Sequence, residues 1–285
     1  MPGGYRDDPS KTWPLIVDFH GRNGSPEGQW NNSQYFLNPL GREYFVAYPL
    51  GCIGCEKKTA WQGAYYANTS CNDILFTADL VNQTQHHHRI DKSRIYASGK
   101  SNGGGFVDTL ACSATGDMFA AFAMAAAALY TDTSNATGSC AGTRPRAILE
   151  VHGVDDPTIP IGGRQSKFKG HSTPNITEWA SWWGERNCNT TVNRTVAVET
   201  WGNVTTYSCE KAPDSVQQYY VNDLGHCWPS KVENTDSAEH DVTCPIPNLD
   251  FTQVVLDFFA LWSKPSKPAS PPDSISYLKT KAVTG

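Results

Sequence analysis

The stretch Arg94-Ile95-Tyr96-Ala97-Ser98-Gly99-Lys100-Ser101-Asn102-Gly103-Gly104-Gly105-Phe106 constrains this chain more than any other. Arg94 to Ser98 has the length and residue types of a buried strand. G-x-S-x-G follows, with Gly99, Ser101 and Gly103, and a helix-compatible run continues from Phe106 to Cys112. Strand, tight glycine turn and helix are the context in which this motif forms a nucleophile elbow. A serine on so sharp a turn needs neighbours without side chains, and the turn lifts its Oγ clear of the backbone. The amide of Asn102 then lies at the positive end of a helix, placed to donate to an oxyanion. An elbow needs partners: a base, an acid to orient the base, and a second oxyanion donor. In this architecture the chain order is serine, acid, histidine, so acid and base belong downstream of Ser101.

Strand-like and helix-like segments alternate along the chain. Strands are expected at Trp13–Phe19, Tyr44–Tyr48, Phe119–Met124, Ala147–Val151 and Gln217–Val221. Helices are expected at Trp30–Leu37, Asp73–Gln85, Asn175–Arg186 and Phe251–Trp262. In Asp73–Gln85, Ile74, Ala78 and Val81 recur at steps of four and three. Cys52–Asn72 reads as a loop carrying Trp61, Tyr65 and Tyr66. Such alternation implies an α/β fold whose mainly parallel sheet is covered by helices on both faces. A length of 285 residues suits one domain, here 1–262, followed by a Pro/Ser/Lys-rich tail over 263–285 that reads as a disordered end or linker. Charged residues make up 18% of the chain and the net charge is −5, which argues against nucleic-acid and anionic-membrane partners. No apolar run is long enough to span a bilayer.

Past the strand at Ala147–Val151 lies His152-Gly153-Val154-Asp155-Asp156-Pro157. The acid belongs in such a loop, because ligands bind at the carboxyl ends of parallel strands. Asp156 is the first choice and Asp155 the alternative, whose competing role is to cap the turn before Pro157. His152 comes too early to be the base and reads as structural. His226, in the loop after the last strand, stands where a mobile base should. The second oxyanion donor belongs in the loop after the first strand, which makes the Arg22 amide the candidate. His86-His87-His88 invites a metal reading, but successive residues cannot all face one site on a helix. A solvated helix end is the expectation, with no metal and no cofactor.

Nine cysteines and sequons at Asn23, Asn31, Asn68, Asn82, Asn135, Asn175, Asn189, Asn193 and Asn203 read as a secreted, disulfide-bonded glycoprotein. No signal peptide opens the sequence, from which a missing N-terminal segment is inferred. Cys188 and Cys209 are expected to pair across a local loop. A disulfide at Cys227 is expected to pin the His226 loop.

The stretches PLIVDFHGR, AYPLG, AWQG, DKSRIYASGKSNGGGF, ILEVHGVDDPTIPIGG and NDLGHCWPS, with the closing DFTQVVLDFFALW, resemble fungal secreted feruloyl esterases of the type C group. These belong to carbohydrate esterase family one, close to polyhydroxybutyrate-depolymerase-like and acetyl xylan esterases. The resemblance implies an α/β-hydrolase fold and Ser101, Asp156 and His226 as the catalytic triad, and it favours the second aspartate. It implies hydrolysis of hydroxycinnamoyl esters on plant cell-wall polysaccharides. Trp61 and Trp228, with Tyr65 and Tyr66, are candidates for an aromatic wall against a phenolic acyl group. Relatives carry a strand pair ahead of the first strand that this sequence does not show, which would leave a sheet edge exposed. Acetyl xylan esterase and polyhydroxyalkanoate depolymerase are the alternatives of the same machinery. A catalytically silent binding protein is a further one, although no triad member is lost.

Overall fold

The computed structural model describes residues 1–54, 57–130, 140, 144–168, 171–189, 192–238, 243–246 and 248–265. The sequon at Asn135, His240 and most of the tail expected over 263–285 lie outside them.

Among the described residues, ten strands follow in chain order: β1 (Trp13–Phe19), β2 (Phe45–Ala47), β3 (Cys52–Ile53), β4 (Thr59–Ala60), β5 (Ile90–Lys100), β6 (Ala121–Ala125), β7 (Ala147–Gly153), β8 (Asn193–Glu199), β9 (Gly202–Cys209) and β10 (Ala212–Val221). Eight of them form one sheet in the order β2-β1-β5-β6-β7-β10-β9-β8. The first six of that order run parallel, and β9 and β8 add an antiparallel edge. The helices are α1 (Pro26–Ser33), α2 (Asp73–His87), α3 (Asn102–Cys112), α4 (Ile176–Cys188), the short α5 (Thr235–Ala238) and α6 (Phe251–Ala260). This is an α/β-hydrolase fold.

β1 shows why both faces must be covered. All seven of its residues are buried. Side chains alternate across a strand, so Leu15, Val17 and Phe19 enter one core with Phe106, Leu110, Trp179 and Trp183 of α3 and α4. Ile16 points the other way, into a second core with Tyr96, Leu149 and the α6 residues Phe251, Val255 and Phe259.

Several segments differ from the sequence expectations: the loop expected at Cys52–Asn72 holds the short strands β3 and β4, β5 begins four residues before Arg94 and β10 five before Gln217. The helix expected at Trp30–Leu37 is α1, four residues earlier. Ser25 Oγ accepts the Gly28 N–H at 3.1 Å, Pro26 opens the helix, and Gln34 ends it in the left-handed region. Capping chemistry, not the apolar run, sets these bounds. Trp30 and Phe36 instead stack on each other, centroids 4.0 Å apart. The hairpin β8–β9 was not expected. Every residue of β8 is exposed, so it carries no alternating pattern to read. Finally, β2 is only three residues long and forms the sheet edge, with no strand in residues 1–12. Tyr5 packs edge-on against Phe45, centroids 5.0 Å apart, under the Arg89 guanidinium. His86 and His87 lie in the last turn of α2, and His88, which caps it, lies 5.0 Å from the Phe45 ring.

Candidate active site

Ser101 sits between β5 and α3 with φ 54 and ψ −120, a conformation that costs energy for any residue with a side chain. The surroundings hold it there. Its N–H donates to Ala125 O, and its own carbonyl accepts from Ala128 N–H and Gly105 N–H, each at 2.9 Å. The glycine requirement is steric. A Cβ on Gly103 would lie 2.1 Å from the Phe19 carbonyl oxygen, so only glycine lets α3 start against the end of β1.

Asp156 lies three residues past the end of β7 and His226 five past the end of β10, so both reach the sheet edge from which Ser101 projects. The strands approach closely here. A Cβ on Gly153 would meet Leu224 O at 2.0 Å, which brings the acid loop against the histidine loop. His226 Nδ1 bonds to Asp156 Oδ2 at 2.7 Å. Asp156 Oδ1 accepts from the N–H groups of Thr158 and Ile159, both at 2.8 Å. Asp155 is exposed and makes no such contact. His226 Nε2 makes no hydrogen bond to any described residue, Ser101 included. The histidine–aspartate limb is therefore closed and the serine–histidine limb open.

Two charge effects meet at this pair. Burial would raise the Asp156 pKa, but His152 close behind it and the hydrogen bond from His226 outweigh that and hold the carboxyl well below the usual carboxylate range. Burial lowers the His226 pKa below its ordinary value, with Lys100 pushing the same way and Asp156 opposing. A neutral imidazole against an ionised carboxylate is the resting state of a general base.

Behind Ser101, the loop after β1 is fixed by His20. The Gly51 N–H donates to His20 Nε2 at 2.9 Å, so the ring proton is on Nδ1, which donates to Gly21 O at 2.7 Å. The same carbonyl accepts from Gly24 N–H at 3.0 Å. In a planar trans peptide the Arg22 N–H then points the opposite way, out of the turn. A Cβ on Gly21 would lie 3.3 Å from Ser101 Cβ and 3.8 Å from its Oγ, so this peptide borders the serine directly. The Asn102 amide opens α3 on the other side.

The two tryptophans expected at the substrate face are buried instead. Trp61 is sealed between Phe19 and Phe106, its indole N–H donates to His20 O at 2.9 Å, and Asn102 clamps its backbone through both side-chain amide atoms. Trp228 packs against Phe251 and Tyr35 and donates its indole N–H to Thr252 Oγ1 at 3.1 Å. Both are framework, since neither ring has a face to offer. Exposed aromatic surface lies elsewhere: Tyr65, 39% exposed, stacks on His171 and packs on the buried Tyr66, which lies under the Arg22 guanidinium at 4.4 Å.

Sequence reasoning also missed a bracing residue. Asp236 accepts from Lys100 Nζ, from the Trp228 backbone N–H at 2.7 Å and from Asn32 Nδ2 at 3.2 Å. It ties the serine's neighbour, the histidine loop and α1 together from a segment without any motif. The disulfides Cys227–Cys244 and Cys188–Cys209 are formed, as are Cys52–Cys71 and Cys112–Cys140.

No family model matches the chain. It is 31% identical over 169 residues to feruloyl esterase C of Emericella nidulans, covering 57% of this chain and 55% of that protein. It is 30% identical over 188 residues to feruloyl esterase B of Piromyces equi, covering 63% of this chain and 34% of that one. The chain thus spans about half the length, or less, of these relatives. Among solved structures, an acetyl xylan esterase from Aspergillus awamori superposes with a TM-score of 0.53 at 15% identity, over 81% of this chain and 89% of that one. That likeness is one of fold; in sequence the chain is similar to proteins named feruloyl esterases and also, at 28% identity over 148 residues, to a bifunctional acetylxylan esterase/xylanase of Neocallimastix patriciarum.

Proposed function

We propose that this protein is a secreted serine carboxylic-ester hydrolase that releases ferulic and related hydroxycinnamic acids from plant cell-wall polysaccharide esters. The observation that carries the reading is the 2.7 Å bond between His226 Nδ1 and Asp156, at the sheet edge where Ser101 is held on its strained turn. In this mechanism Ser101 Oγ attacks the ester carbonyl carbon while its proton passes to His226 Nε2. The carbonyl electrons move onto oxygen, where the Arg22 and Asn102 amides receive them. Collapse expels the alcohol, which takes the proton back from His226, and leaves an acyl group on Ser101. Water, deprotonated by His226, then releases the acid and restores the serine. Asp156 holds the imidazole tautomer and stabilises its charged form. The chemistry requires neither metal nor cofactor.

The substrate class is supported by the similarity to proteins named feruloyl esterases and by the exposed Tyr65 beside the Arg22–Tyr66 stack. Secretion is supported by the four disulfides and by exposed sequons at Asn31, Asn82 and Asn193. The burial of Trp61 and Trp228 favours a second reading in which the acyl group is smaller, as in acetylated xylan, because it removes two rings from the expected wall. Hydrolysis of methyl ferulate, acetylated xylan and a polyhydroxyalkanoate by the purified protein separates the cases. A clear preference for methyl ferulate is the expected result; activity confined to acetylated xylan or the polyester would overturn the feruloyl assignment.

A further inference from the structure

Behind Asp156 lies a second acid–histidine pair that the mechanism above does not use. Glu150 and His152 are two residues apart on β7 and point to the same face. Neither side chain is exposed at all. His152 Nδ1 faces Glu150 Oε1 at 2.7 Å. Its Nε2 lies 2.8 Å from Ile159 O, an atom that only accepts, so Nε2 carries a hydrogen. The same Nε2 is 3.4 Å from Asp156 Oδ2, the oxygen that His226 binds. The four side chains form one line, buried as far as the part-exposed His226: Glu150, His152, Asp156, His226.

Such a line is costly to bury, the more so because Glu150 Oε2 has no hydrogen-bond partner among the described residues. Two protonation patterns satisfy the Glu150–His152 contact: a protonated carboxyl donating to Nδ1, or an imidazolium donating to a carboxylate. The second places a positive charge against the back of Asp156. Burial alone would lower the His152 pKa, but the Glu150 carboxylate, with Asp156 behind it, pushes it up to about 10. A plain core histidine would have no reason to stand between two carboxylates, one of them the partner of His226.

We propose that Glu150 and His152 form a positioning pair for the candidate triad, holding a cationic ring close behind Asp156, its Nε2–H anchored on Ile159 O, so that the Asp156 carboxylate stays ionised and aimed at His226. The pair touches no substrate and acts through Asp156. It rests on the ester-hydrolase reading for its consequence but not for its existence. The sign of its effect follows from charge. A cation at His152 disfavours a second one at His226. The other groups facing His226 are Asp156, which favours its protonation, and Lys100, which opposes it. On β10, Tyr220 pairs with His152 and interacts with Glu150. Removing the His152 charge therefore lets His226 protonate at higher pH.

The test has two arms. In the unmodified protein, long-range 1H–15N spectra should show the His152 ring protonated on both nitrogens at pH 6 to 8, while His226 carries one ring proton at neutral pH. A singly protonated His152 at pH 6 would overturn the proposal whatever the enzyme hydrolyses. In variants, E150Q keeps the Nε2 donor and removes the cation, because an amide donating to Nδ1 leaves the ring neutral. E150Q should keep kcat within about threefold and move the acid limb of kcat/KM to higher pH. H152Q should move the limb the same way. H152L, which lacks the donor as well, should lower kcat on the order of a hundredfold with KM nearly unchanged. An acid limb unmoved in folded E150Q and H152Q refutes the pair, and the spectra decide should the variants fail to fold. Absence of hydrolysis by the unmodified protein would instead count against the hydrolase reading alone.

Discussion

At the scale of single residues, Ser101 pays for its exposure with a backbone conformation that a serine in an ordinary loop would not keep. Ser101→Ala should leave the fold and the turn intact and abolish hydrolysis, by thousands-fold or more; near-normal turnover in a folded variant would end the serine-esterase reading. The two adjacent acids should separate as sharply. Asp156→Asn should cost far more activity than Asp155→Asn, because only Asp156 reaches His226 and it also holds the amides of Thr158 and Ile159. A crippling Asp155→Asn beside a mild Asp156→Asn would reverse that assignment. The pH profile follows from the histidine. His226 works as a neutral base, and burial lowers its pKa from 6.5. The working form therefore survives to lower pH than in a free imidazole, and kcat/KM should fall only below 6.5 as His226 becomes protonated. A limb above that value would mean that Asp156 outweighs burial.

At the scale of elements, the histidine loop has no secondary structure of its own and depends on its attachments. Cys227 is joined to Cys244, and the Trp228 backbone is bound by Asp236. Mild reduction should lower turnover before global unfolding, because small displacements of a base cost catalysis steeply; a Cys227 that alkylates freely without reductant would refute the pinning. The elements differed in how plainly the sequence announced them. β1, β7 and the second half of β5 were legible because each is buried on both faces and reads as a largely apolar run ending at a motif. The elbow was legible because close approach forces glycine at fixed offsets around Ser101. The β8–β9 hairpin was not, since an exposed edge carries no burial pattern. Trp61 and Trp228 misled for a related reason: a tryptophan in a loop next to a motif reads the same whether it faces solvent or braces the loop from beneath. Glu150 was hidden inside an apolar strand, where the alternation that pairs it with His152 shows only once the strand's faces are known.

At the scale of the whole molecule, the helices that cover one face of the sheet are clamped to each other by buried polar contacts as well as by apolar packing. Asp108 of α3 accepts the indole N–H groups of both Trp179 and Trp183 of α4, at 3.1 and 3.0 Å. Burial raises its pKa to about 6. Asp108→Ala would leave two buried donors without an acceptor, at about 1–3 kcal/mol each, and should lower stability to urea without changing the substrate preference. An unchanged unfolding midpoint would show that the two indoles find other acceptors. The two indole donors favour the ionised carboxyl, but burial outweighs them; because the folded pKa exceeds the unfolded one, stability is greatest below the unfolded carboxylate value and falls as pH rises through about 6.

The four disulfides bridge residues 19, 28, 21 and 17 apart in the chain. None ties an early strand to a late one, although the sheet itself sets β1 beside β5 and β7 beside β10. Each bridge has both its cysteines within one short stretch of newly made chain, so oxidation can follow synthesis stretch by stretch with little scope for distant mispairing. The covalent and non-covalent orders of the molecule are in this sense independent: one is written along the chain, the other across it. Among the described residues no disulfide joins two strands of the sheet, so a reductant should loosen what the bridges hold while the central strands keep their places.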